Sequence, residues 1–183
     1  MIESTTFSRA PVIRASDGAS LLRQLSHTAT RTKDMEAIRH FYEDFLGLPL
    51  VVTMTADFDA VTNSRSNYVH CFFELADGSF VAFFQFEDGY RGEPAPRTSD
   101  PYERHLALRV DDIDTVHRYE VRAKEFSVDH FIVDHDDFYS LYLVDPDGEQ
   151  VEVAWHKPSL ASLVDGPKAH RDLEEWLASA RKD

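Results

Sequence analysis

At 183 residues the chain is long enough for one well-cored domain, or for two half-domains sharing a core. A 43% hydrophobic composition without low-complexity tracts excludes wholesale disorder. The excess of 33 acidic over 19 basic residues, a formal charge of −14, makes nucleic acid and anionic membrane surfaces poor partners. The single cysteine, Cys71 in "NYVHCFFEL", has no mate for an internal disulfide and reads as a core residue. The first residues lack a basic-then-apolar leader, and no apolar run approaches the ~18 residues of a membrane span. The expected location is cytoplasmic.

Residues 1–21 are polar and aperiodic and are expected to form an arm. In "LLRQLSHTATR" the side chains alternate, so Leu25, His27 and Ala29 share one face of a strand. From Asp34 the period becomes helical, with Met35, Ile38, Phe41, Tyr42 and Phe45 on one stripe, Thr32 or Asp34 as cap, and Gly47 and Pro49 as stop. After "LPLVVTM" and a polar loop come two strands, "YVHCFFEL" and "FVAFFQF", joined by the tight turn Ala76-Asp77-Gly78-Ser79. This first module spans 22–88, and a linker rich in turn formers spans 89–102. The second module, 103–157, repeats the order: "RHLALRV", a helix from Asp112 to about Phe126, "FIVDH", "SLYLVD", a turn at Pro146-Asp147-Gly148, and "EQVEVAW". Residues 158–183 read as an amphipathic helical extension, with Leu173, Trp176, Leu177 and Ala180 on the side expected to pack on the domain or on a second copy.

The repeat is visible in the letters. "LSHTATRTKDMEAIRHF" and "ERHLALRVDDIDTVHRY" align with His27 on His105, Asp34 on Asp112, Ile38 on Val116 and Phe41 on Tyr119. A strand–helix–three-strand unit leaves a sheet face bare, so the duplication predicts an α+β fold of two tandem βαβββ modules. Their sheets are expected to form one curved, barrel-like cleft, with the two histidines brought together by pseudo-symmetry.

Two imidazoles call for a third ligand. Alternation along the last strand places Gln150, Glu152 and Ala154 on one face, and a carboxylate at the centre of an apolar strand is costly without a compensating charge. A cation held by His27, His105 and Glu152 supplies it. Two histidines and one carboxylate with open positions suit Fe(II), and Mn(II) accepts the same set. His40, His70, His117, His130, His135, His156 and His170 are assigned no metal role.

With "SHTA" and "RHLAL" opening the halves and "LYLVDPDGEQVEV" closing the duplicated module, residues 22–157 resemble the vicinal oxygen chelate superfamily. That superfamily includes glyoxalase I, methylmalonyl-CoA epimerase, bleomycin and fosfomycin resistance proteins and type I extradiol dioxygenases. Isomerase-type members add a fourth ligand from the last strand of the first module. Aligned to them, Phe83 takes that position, with Gln85 two residues on, and both are expected to line the substrate side. Tyr142, ten residues before Glu152, is similar in spacing to the extradiol tyrosine that hydrogen-bonds a bound catecholate. In "VDHDDFYSLY", His135 or His130 is the expected proton-handling residue and Asp136 a lining residue, although neither histidine falls on the extradiol second-shell position.

The resemblance thus implies a non-haem Fe(II) extradiol-type dioxygenase acting with O2 on a catecholic or related aromatic substrate, as a homodimer. A metal-dependent glyoxalase- or epimerase-type isomerase or lyase is the rival enzyme. A drug-sequestering binding protein is the rival without chemistry.

Overall fold

The structure, a computed structural model, describes residues 20–87, 100 and 102–179; most of the expected arm and linker, and Ala180, lie outside the described residues. The first module runs β1 (His27–Arg31), α1 (Met35–Arg39) with a π-helical turn (His40–Phe45), β2 (Leu50–Asp59), β3 (Ser64–Glu74) and β4 (Phe80–Phe86). The second runs β5 (Leu106–Val110), α2 (Ile113–Phe126), β6 (His130–Asp134), β7 (Phe138–Val144) and β8 (Gln150–His156), followed by α3 (Leu160–Leu163) and α4 (Gly166–Ser179). Each module forms its own four-stranded mixed sheet, ordered β1-β4-β3-β2 and β5-β8-β7-β6. The outer pairs β1–β4 and β5–β8 are parallel and the rest antiparallel. The fold is α+β, as the repeat predicted, and the two sheets are not closed into a barrel.

Equivalent local chemistry builds both halves. Asp34 and Asp112 cap α1 and α2 by accepting hydrogen bonds from the backbone N–H of Ala37 (3.0 Å) and Thr115 (2.6 Å). Thr32 is left to accept from Asp34 N–H at 3.1 Å. Gly78 and Gly148 carry the hairpin turns at φ of +78° and +83°, in the left-handed region where a side chain is strained.

The first helix departs from the regular helix its periodicity predicts. From His40 it widens, and Leu46 N–H bonds the Phe41 carbonyl five residues back at 2.9 Å. Carbonyls at its end find donors on α2: Arg122 Nε donates to Phe45 O at 2.7 Å and its guanidinium also reaches Asp44 O, while Tyr119 Oη donates to Leu46 O at 2.7 Å.

These contacts show how the modules join. Ile38, Phe41, Tyr42 and Phe45 from the first helix meet Val116 and Ala123 of α2, over Phe73, Val81 and Phe83 of one sheet and Leu141, Leu143, Val151 and Val153 of the other. Tyr42 Oη donates across the junction to Asp145 at 3.2 Å. The shared core therefore lies on the helix side of both sheets, and their opposite faces carry the histidines.

The C-terminal extension is expected to pack on the domain or on a second copy. Leu173, Trp176 and Leu177 of α4 are 55%, 63% and 42% exposed, so the described chain does not cover the helix's apolar side. No helix among the described residues is long and apolar enough to cross a membrane.

Candidate active site

In the second sheet Glu152 pairs with Ala107 on one side and Tyr142 on the other. Paired residues point the same way, so His105, Ala107, Tyr142, Glu152, Ala154 and His156 share a face. The His105 imidazole meets the Glu152 carboxylate at 3.0 Å, with the histidine side chain 36% exposed and the glutamate 8%. Phe131 stacks on the Tyr142 ring at 4.9 Å, and His105 stands edge-on to it at 6.2 Å. Burial first, and then the adjacent Glu152 charge, push the Tyr142 hydroxyl up to about 12, so it is a proton donor throughout the physiological range.

These groups open onto a cleft of about 550 Å³ lined by His105, His135, Asp136, Tyr142, Glu152 and His156, among others. His135 Nε2 lies 3.4 Å from Tyr142 Oη. His156 is a cleft residue that sequence reasoning passed over. The alternation Glu152, Ala154, His156 already held the signal.

His130 is not part of this group. It pairs with the core residue Leu143, and its Nδ1 bonds Val128 O at 2.8 Å, on the reverse side of the sheet. Strand alternation separates it from His135, which lies one residue past the strand end.

The first sheet presents its own version of the face. Its registers put His27, Ala29, His70, Phe72, Ala82 and Phe84 on one side. His27 Nδ1 lies 3.2 Å from Ser26 Oγ, and the residue is exposed. His70 is buried at 8% exposure, stacked on Phe84 at 3.5 Å and leaning on Phe72 at 4.2 Å. Burial, and then the neighbouring His27, hold its pKa below the ordinary histidine value.

The register corrects the expectation for Phe83 and Gln85. Ala29 pairs with Ala82 as Ala107 pairs with Glu152, so Ala82 occupies the place equivalent to the carboxylate. Phe83 points to the helix side, 1% exposed, with Tyr42 at 4.8 Å and Phe73 at 6.1 Å. Gln85 points the same way and accepts from Met35 N–H at 2.7 Å, closing the start of α1. The alignment placed the strand one residue out, which turns every side chain over. The alanine side chain at Ala82 carries no metal-donor atom.

Of the expected ligand trio, one chain brings His105 and Glu152 together. His27 is on the other sheet, and among the described residues no three His, Cys, Asp or Glu side chains form a metal-binding group within the chain.

The sequence pattern of the Glyoxalase/Bleomycin resistance protein/Dioxygenase superfamily matches residues 24–153. The chain belongs to that superfamily. Solved structures of similar fold include a glyoxylase/bleomycin resistance protein/dioxygenase domain from Frankia sp. EAN1pec, at 16% identity over 74% of this chain and 99% of that one, with a TM-score of 0.57. Lactoylglutathione lyase from Agrobacterium tumefaciens is 21% identical over 74% and 95%, with a TM-score of 0.53. The fosfomycin resistance protein FosX from Listeria monocytogenes, complexed with Mn(II) and sulfate, is 19% identical over 76% and 97%, with a TM-score of 0.54. No curated protein matches the sequence. For this superfamily member, the likeness to solved structures extends to the fold alone.

Proposed function

We propose that this superfamily member is a divalent-metal enzyme of the extradiol type, acting on a catecholic substrate with O2. The observation carrying the reading is the grouping of His105, Glu152 and a protonated Tyr142 on one sheet face, beside a cleft large enough for a single aromatic ring. The donor set fits a divalent cation: a nearly buried carboxylate already faces an imidazole at 3.0 Å and gains from a positive charge between them. That one relative of the same fold was crystallised with Mn(II) supports a divalent ion.

The ligand set is completed by a second copy. His27 faces outward on the first sheet and the His105–Glu152 pair outward on the second, so juxtaposing the first sheet of one copy with the second sheet of another builds the trio twice per dimer. Val52 and Met54, on the His27 face at the far edge of the first sheet, and Phe131 beside Tyr142 are 39%, 47% and 45% exposed and supply apolar area for that contact.

His27, His105 and Glu152 would hold Fe(II), or Mn(II). When bound, the ion acidifies vicinal hydroxyls and offers a place for O2. Tyr142 Oη donates a hydrogen bond to the substrate oxygen nearest Glu152, and its high pKa keeps that proton in place. His135, at 3.4 Å from Tyr142, is the residue placed to accept a substrate proton through or beside the phenol. Asp136 and His156 border the cleft opening, and Phe131 fixes the Tyr142 ring by stacking.

Anaerobic loading with Fe(II), followed by catechols and oxygen, tests the reading. Yellow ring-fission products are expected. Oxygen-independent, colourless turnover of a substrate would establish an isomerase or lyase instead. Tight ligand binding by metal-free protein with no turnover would establish a sequestering protein.

A further inference from the structure

His70 is the one buried histidine whose ring nitrogen has neither solvent nor a partner: among the described residues its Nε2 is fully shielded and makes no hydrogen bond. It shares the face of His27, with ring centres 6.5 Å apart. Phe84, stacked at 3.5 Å, and Phe72, at 4.2 Å, leave its ring fixed and the polar edge as its only available chemistry. An unsatisfied buried polar atom is destabilising, and one that persists on a site face calls for a functional explanation. Across β2 and β3, His70 stands directly opposite Met54, whose side chain is 47% exposed. An unbranched, unpinned methionine can swing away from such a neighbour.

We propose that His70 is a specificity-determining residue of the cleft assembled between two copies. Its Nε2 takes a hydrogen bond from a polar ring substituent of an aromatic substrate lying along Phe72 and Phe84, and Met54 is the displaceable cover. The inference rests on the two-copy catechol reading above and names the substrate class within it: a ring with a hydrogen-bonding substituent remote from its vicinal oxygens. The pseudo-symmetric counterpart of Phe72 is Tyr142, so one wall holds the reacting oxygens and the other reads the far side of the ring.

The test uses Mn(II)-loaded full-length protein, titrated anaerobically by calorimetry with catechol and with 3,4-dihydroxybenzamide. Wild type is expected to bind the benzamide about tenfold more tightly. His70→Phe should remove that preference while retaining Mn(II), and His70→Gln should restore part of it. Met54→Ala should strengthen benzamide binding by removing the cover. If His70→Phe loses its fold, the glutamine and Met54 variants decide the matter. Equal preference in wild type and the His70 variants, or no preference in wild type, overturns the role of His70 and leaves the metal reading standing. Full Mn(II) retention by His27→Ala overturns the two-copy site itself, and the His70 inference with it.

Discussion

Tyr142 and Glu152 face each other directly across β7 and β8, and burial first, then the carboxylate, raises the phenol's pKa. A tyrosine held this way keeps its proton to donate. Tyr142→Phe is therefore expected to lower kcat about a hundredfold, in the range of other lost hydrogen-bond donors to a developing oxyanion. Metal content should be unchanged, which inductively coupled plasma analysis of the variant would check.

The same pairing has a pH signature. The folded pKa of Tyr142, about 12, is above its ordinary value of 10.0, so its contribution to stability is complete below pH 10 and lost as pH rises through 12. Urea titrations from pH 9 to 12 should show wild type losing stability faster than Tyr142→Phe. Parallel curves would contradict the assignment.

Glu152→Gln removes the charge that faces His105 and leaves the shape. Metal affinity should fall by at least about tenfold, as should that of His105→Ala. Equilibrium dialysis against Mn(II) measures both.

A site shared between copies permits complementation. Neither His27→Ala nor Glu152→Gln alone should bind metal well. Co-refolded from an equimolar mixture, they form hybrid dimers in which one of the two sites has every ligand, so about a quarter of all sites should recover Mn(II). A site formed within one chain predicts no recovery.

Phe83 and Gln85 belong to the core side. Phe83→Ala should cost about 3–5 kcal/mol of stability with no effect on metal affinity in the folded fraction. Gln85→Ala should cost about 1 kcal/mol by exposing the start of α1, again with metal binding intact. Denaturant melts paired with dialysis separate the two effects.

Local signals were legible in the letters because their causes are local. Asp34 and Asp112 cap their helices and Gly78 and Gly148 turn their hairpins, each through contacts a few residues long. The repeat of His27 in His105, and the polar alternation around Glu152, likewise placed the second-sheet histidine and carboxylate on one face. In "FVAFFQF" no such alternation exists. Both faces of β4 are aromatic, and only hydrogen bonding to β1 and β3 decides that Ala82 and Phe84 face the histidine while Phe83 and Gln85 face the helix.

By itself, then, the sequence determined two βαβββ modules and a His–Glu pair with a tyrosine beside it. Tertiary structure decided where the halves meet. Arg122, Tyr119 and Tyr42 bind one module to the other through the helices, so the shared core forms on that side and His27 is turned outward. Strand periodicity specifies which residues share a face, but the partner of that face is chosen by the packing of side chains far apart in the chain.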